Sequence, residues 1–172
     1  MRRAASIYLA VVIGCALGVV ALAGWEVRQN VTAHFCIVVV SLASLYLLTA
    51  LWRFRIGNAA ANVSLSNAII LATYPLAGFS GSVLVSLVSI LTERSGPPVK
   101  RLFNVSQLIL SAWAGAAVFA ALGGHVGVAS ASAPALVGQI VAADVAYAAT
   151  NGLLVAGIVH LADGVPFRQV VG

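Results

Sequence analysis

Between Ser6 and Leu161 the chain has almost no stretch that prefers water, and its few charges are gathered into short clusters between long apolar runs. That pattern leaves few folds open. In hydrocarbon every backbone N–H and C=O must be paired inside the protein, and a helix does this within its own segment. Only 8% of the residues are charged and 62% are hydrophobic, against roughly 25% charged in a soluble domain. The sequence therefore predicts an all-α, polytopic membrane helix bundle. Its 172 residues give room for a single integral membrane domain over residues 1–172 and for no separate soluble domain of ordinary size.

The net charge of +5 does not point to nucleic acid, because the basic residues sit at the ends of apolar runs, where the positive-inside bias accounts for them. Cys15 falls in the middle of the first run and Cys36 near the start of the second, so both read as small packing residues rather than as a disulfide or metal ligands. His34, His125 and His160 share no metal-site spacing; His160 lies three residues before Asp163, near enough for a local pair at a helix C-terminus. No nucleophile triad, phosphate loop or carboxylate pair suggests an enzyme, and no cofactor is expected. The Asn-x-Ser/Thr triplets at Asn30, Asn62 and Asn104 match the glycosylation pattern. Two of them fall at membrane entries expected to face the cytoplasm, and the Ala/Val-rich composition looks bacterial, so they are read as unmodified.

Met1-Arg2-Arg3, an apolar run and Ala21-Leu22-Ala23 imitate a cleavable signal, but Ala4–Gly24 is about 20 residues, the length of a full crossing rather than of a signal core. Gly14 and Gly18 give this helix a GxxxG spacing suited to close helix approach. The polar stretch Trp25–Asn30 reads as a loop, and a second helix runs from about His34 to Trp52, where Trp52, Arg53 and Arg55 look like an interface anchor with cytoplasmic charges. Val63–Thr92 is about 30 residues without a formal charge, too long for one ordinary span and short for two. Tyr74-Pro75-Leu76-Ala77-Gly78-Phe79-Ser80-Gly81 places a helix breaker and two glycines at its middle. After the basic loop Glu93–Arg101, a helix is expected from about Leu102 to Leu122. The last opens at Pro134, continues to about Leu161 and is ended by Asp163-Gly164-Val165-Pro166.

Charge favours a broken third segment that returns the chain to the side it left, as two short helices or a re-entrant pair. Arg2, Arg3, Arg53, Arg55, Arg94, Lys100, Arg101 and Arg168 then lie together in the cytoplasm and only Arg28 lies outside, as the positive-inside rule prefers. The expected topology has about six membrane segments in a bacterial cytoplasmic membrane, with both termini cytoplasmic.

Five polar residues within the apolar segments are candidates for a ligand-binding or inter-helix polar face: Asp144, Asn151, Gln107, Asn104 and Asn67. Counting from Pro134 at 1.5 Å per residue places Asp144 about 15 Å down, near the midplane, where a charged Asp costs on the order of 3 kcal/mol. It is expected to face the bundle, opposite Ser111 or Trp113. Asn151 is two turns further along the same face, and Gln107 reaches a similar depth from the cytoplasmic side, so the two are placed to bond to each other. Asn104 and Asn67 mark the entries of their helices, with Ser64 beside Asn67. Each of these side chains also fits a simpler part as polar glue between helices.

The stretch Pro98-Val99-Lys100-Arg101-Leu102-Phe103-Asn104-Val105-Ser106-Gln107 is a basic turn running into Phe-Asn-x-x-Gln at the head of a Gly/Ala-rich helix. With Val63-Ser64-Leu65-Ser66-Asn67-Ala68 before a short-helix pair, it resembles the MASE-type membrane regions of bacterial signalling proteins across most of the chain. Those regions precede cytoplasmic GGDEF or HD-GYP domains. The resemblance implies a sensory or anchoring input module, with the bilayer, a small-molecule ligand and a cytoplasmic output domain or a second copy as partners. Cyclic-nucleotide chemistry is not expected of these residues, which would form a sensor region or a free-standing relative. The alternative is a solute-transport component similar to the S subunit of an energy-coupling factor transporter, favoured by the broken segment and by Asp144.

Overall fold

A computed structural model describes residues 3–51, 66–92, 96–127, 132–167 and 169, and among these it contains helices and connections but no strand. The helices are α1 (Arg3–Asn30), α2 (Ala33–Leu51), α3 (Ser66–Leu87), α4 (Ser89–Thr92), α5 (Pro98–Ala121) and α6 (Ala133–Asp163). Four stretches are long and apolar enough to cross a membrane: Arg3–Asn30, Ser66–Thr92, Pro98–Ala121 and Ala133–Asp163; Ala33–Thr49 is a shorter apolar helix. Arg2, Trp52, Arg53, Arg55, Asn62, Ser64, Arg94 and Arg168 lie outside the described residues.

Two boundaries differ from the sequence reading. Trp25–Asn30 is the last part of α1 rather than a loop, leaving only Val31 and Thr32 between the first two helices. Glu26, Arg28 and Gln29 are good helix formers and carry the helix past the apolar run. Thr32 caps α2, its Oγ1 accepting the Phe35 N–H at 3.1 Å. Likewise α5 starts at Pro98, not Leu102, because a proline at the first helical position gives up no hydrogen bond. The end of α6 is as expected: Gly164 takes φ 75° and its N–H bonds the His160 carbonyl at 3.0 Å. His160 does not pair with Asp163; its Nδ1 lies 2.8 Å from the Val165 carbonyl.

The break expected between Tyr74 and Gly81 is present, with Gly78 at φ 64°, ψ −157° inside α3. Only glycine adopts that conformation readily. Tertiary contacts fix the break in place, since the Pro75 carbonyl accepts the Gly127 N–H at 2.9 Å from the α5–α6 connection. Before the break, Ile69, Ile70 and Tyr74 belong to a buried cluster with Tyr46 of α2, Ala112 of α5 and Ala143 of α6. Beyond it, Val83 packs with Ala16, Val19 and Ala23 of α1 and with Val105 and Ile109 of α5.

Between lipid-embedded helices, association comes from close van der Waals packing and hydrogen bonds rather than from apolar burial. Small residues set the closest approaches. A Cβ on Gly115 would collide with the Tyr74 hydroxyl and stand 3.0 Å from the Ala143 carbonyl oxygen, so this notch seats Tyr74 between α5 and α6. A Cβ on Gly157 would stand 2.6 Å from the Tyr8 hydroxyl, which donates to the Leu154 carbonyl at 3.1 Å and ties α1 to α6. Gly14 and Gly18 meet nothing within 4 Å, so the GxxxG face has no partner among the described residues. Cys15 and Cys36 are both exposed, not packed as expected; each lies on an outward face of its helix.

These contacts define two ends. The starts of α1 and α5 and the last turns of α6 meet around Lys100. At the opposite end, the Gly78 break meets the end of α1, the start of α2 and Val126.

Candidate functional site

The five polar residues singled out in the sequence do not form one site. Asp144 is exposed, whereas Ala143 and Tyr147 beside it are buried. The bundle-facing side of α6 is thus one residue, about 100° of helix rotation, away from the position the depth argument gave it. The expectation that Asp144 faces Ser111 or Trp113 is therefore corrected. Ser111 gives its hydroxyl to the Gln107 carbonyl at 2.7 Å, and Trp113 is itself exposed. Asp144 lies instead within electrostatic range of the Tyr74 and Tyr147 hydroxyls. Asn67 is also exposed, its Oδ1 accepting a long 3.4 Å bond from Tyr147.

Gly115 against Ala143 sets the antiparallel register of α5 and α6, and eight residues along each helix Gln107 stands opposite Asn151. Among the described residues Gln107 Oε1 and Asn151 Oδ1 are both buried without a hydrogen-bond partner, so the expected bond between them is not made. Asn104 lies nearer the Lys100 end, on the wall of a separate groove.

A more concentrated arrangement sits at the Gly78 end. Two cavities of about 210 and 250 Å³ adjoin there and share Glu26, Ala77 and Val126 as walls. The first is completed by Thr32, His34, Phe35 and Ser80, the second by Tyr74, Phe119 and His125, among others. Among the described residues Glu26 is the one acid lining either space, no Lys or Arg lines them, and the buried Glu26 Oε2 has no hydrogen-bond partner.

The position gives that carboxylate little help from its own helix. Glu26 lies in the last turns of α1, where the helix dipole places negative charge and disfavours an anion. A carboxylate held there among apolar walls is left able to accept a donor or meet a cation. Among the described residues no three His, Cys, Asp or Glu side chains gather closely enough to hold a metal ion. His34 in the first cavity and His125 in the second add hydrogen-bonding groups to the walls.

Sequence reasoning missed Glu26 because it fell in a stretch read as loop. One signal was available: the chain has only four acidic residues. No known family, no curated protein and no solved structure matches the chain.

Proposed function

We propose that the chain is a non-catalytic input module of a bacterial cytoplasmic membrane, which reads a small solute at the Gly78 end and passes the result to the Lys100 end. The observation that carries the reading is the buried, unpartnered Glu26 Oε2 between two small cavities beside a fixed helix break. An orphaned polar atom in a pocket is a natural point of ligand recognition. The gathering of Lys100 and Arg101 at one end and Arg28 at the other supports a topology with both termini cytoplasmic and the Gly78 end outside. In that topology the two halves of α3 on either side of Gly78, the second continued by α4, form the pair of short segments that returns the chain to the cytoplasm.

A solute that hydrogen-bonds Glu26 while touching Ala77, Ser80 and Val126 bridges α1, the α3 break and the α5–α6 connection. It shifts the bundle only if it binds one arrangement of these elements more tightly than another. α6 meets the bundle through the buried Ala143, Tyr147 and Ala156 and runs on to the Lys100 end, so this helix carries the change towards the cytoplasmic exit. The likeness of residues 98–107 to MASE-type regions supports the same role.

Fusing the chain to a diguanylate cyclase domain tests the reading. Glu26→Gln is expected to shift the cyclic di-GMP level and remove its response to added small amines and alcohols, while Asp144→Asn has a smaller effect. An output indifferent to Glu26→Gln and to the membrane region overturns it. One observation favours the transport alternative, namely irregular backbone beside a cavity at Gly78. Solute uptake into liposomes dependent on Glu26, with no effect on the fused output, would put transport in place of sensing.

A further inference from the structure

At the end opposite to Glu26, α1, α5 and α6 line a groove of about 500 Å³. Its wall is apolar, with Leu9, Phe103, Val155, Ile158 and Val159 among the lining residues, and its polar groups are Lys100 and Asn104. Gly115 brings α5 and α6 together near Ala143, Tyr8 ties α1 to α6 at Leu154 and Gly157, and the buried ring of Phe103 is part of the groove wall.

We propose that this groove binds one anionic phospholipid, its acyl chain along Phe103, Val155 and Val159 and its phosphate headgroup at Lys100. The charge at the groove's rim selects the occupant. Among the described residues Lys100 is the one charged residue in the lining. Arg101 is next to it, its Nε bonded to the Gly96 carbonyl at 3.0 Å, which fixes a second positive charge at the rim. Pro97, at the head of α5, supplies no side-chain cap, so the positive end of the helix dipole faces the same boundary. An aliphatic slot ending in fixed positive charge at a membrane boundary matches a lipid with an apolar tail and a negative head. A soluble anion would leave the slot unfilled, and a zwitterionic lipid would set its own cation beside Lys100 and Arg101.

The test uses the full chain purified in mild detergent and analysed by native mass spectrometry with phosphatidylglycerol or phosphatidylcholine of matched chains. One phosphatidylglycerol per chain is expected to be retained in preference to phosphatidylcholine. Lys100→Ala is expected to weaken its retention about fivefold, the size of effect one basic residue has at a membrane surface. Ala162→Phe, which fills the slot, should abolish it, and Arg28→Ala at the other end should leave it unchanged. Equal retention of the two lipids, or wild-type retention in Lys100→Ala, overturns the proposal. Lys100 is exposed, so Lys100→Ala keeps the test decisive if Ala162→Phe misfolds. Displacement of the lipid by inorganic phosphate alone would show a headgroup site without the slot and would equally overturn it.

Discussion

Gly78→Ala should be among the most damaging single-methyl additions in the protein, and its cost can be divided into two parts. A residue other than glycine at φ 64°, ψ −157° pays roughly 1–3 kcal/mol for the backbone conformation alone. The new Cβ would also stand 2.8 Å from Val126 Cγ2. Val126 is 61% exposed, so its side chain can turn aside, at about 0.5–1.5 kcal/mol for an unfavourable rotamer. The backbone part should dominate, giving a total of about 2–4 kcal/mol. Adding Val126→Ala separates the parts: the double variant should regain no more than the steric share. Reversible unfolding in mixed dodecylmaltoside–SDS micelles, followed by helicity, measures both. A loss in Gly78→Ala under about 0.5 kcal/mol, the range of an ordinary surface change, or full recovery on adding Val126→Ala, would refute the claim that the break requires glycine for its backbone.

Other outcomes follow from the same packing. Gly157→Ala should loosen α1 from α6 and be partly rescued by Tyr8→Phe, which removes the obstructing hydroxyl; crosslinking between α1 and α6 reads this out. Gly14→Ala, on an open helical face, should be neutral or stabilise by up to about 1 kcal/mol in the same unfolding assay. Tyr74→Phe removes a buried hydroxyl that has no partner and should not destabilise by more than about 0.5 kcal/mol, since no hydrogen bond is lost.

Hydropathy made the helical class legible, and Pro75 with Gly78 marked the break, because a breaker inside a long uncharged run has few other uses. Depth counting also put Gln107 and Asn151 at one level, which agrees with the register that Gly115 and Ala143 set. It failed for Asp144 because depth is one coordinate and rotation another. α6 is apolar on every side, so its sequence does not say that Ala143 rather than Asp144 meets Gly115. Glu26 was hidden for a different reason. Its surroundings come from residues fifty to a hundred positions later, the turn at Ala77–Ser80 and Val126, and only the folded chain brings these to the end of α1.

The central claim, a cavity open at the Gly78 end and governed by the Glu26 carboxylate, is tested most directly by cysteine chemistry at Ser80, a buried wall residue of the first cavity. In a Cys15→Ala, Cys36→Ala background, Ser80→Cys should react from the outer face of intact spheroplasts. A small cationic methanethiosulfonate should react faster than an anionic one, and Glu26→Gln should erase that preference without stopping the reaction. Labelling only from the cytoplasmic face, or a cation preference unchanged by Glu26→Gln, would contradict the account.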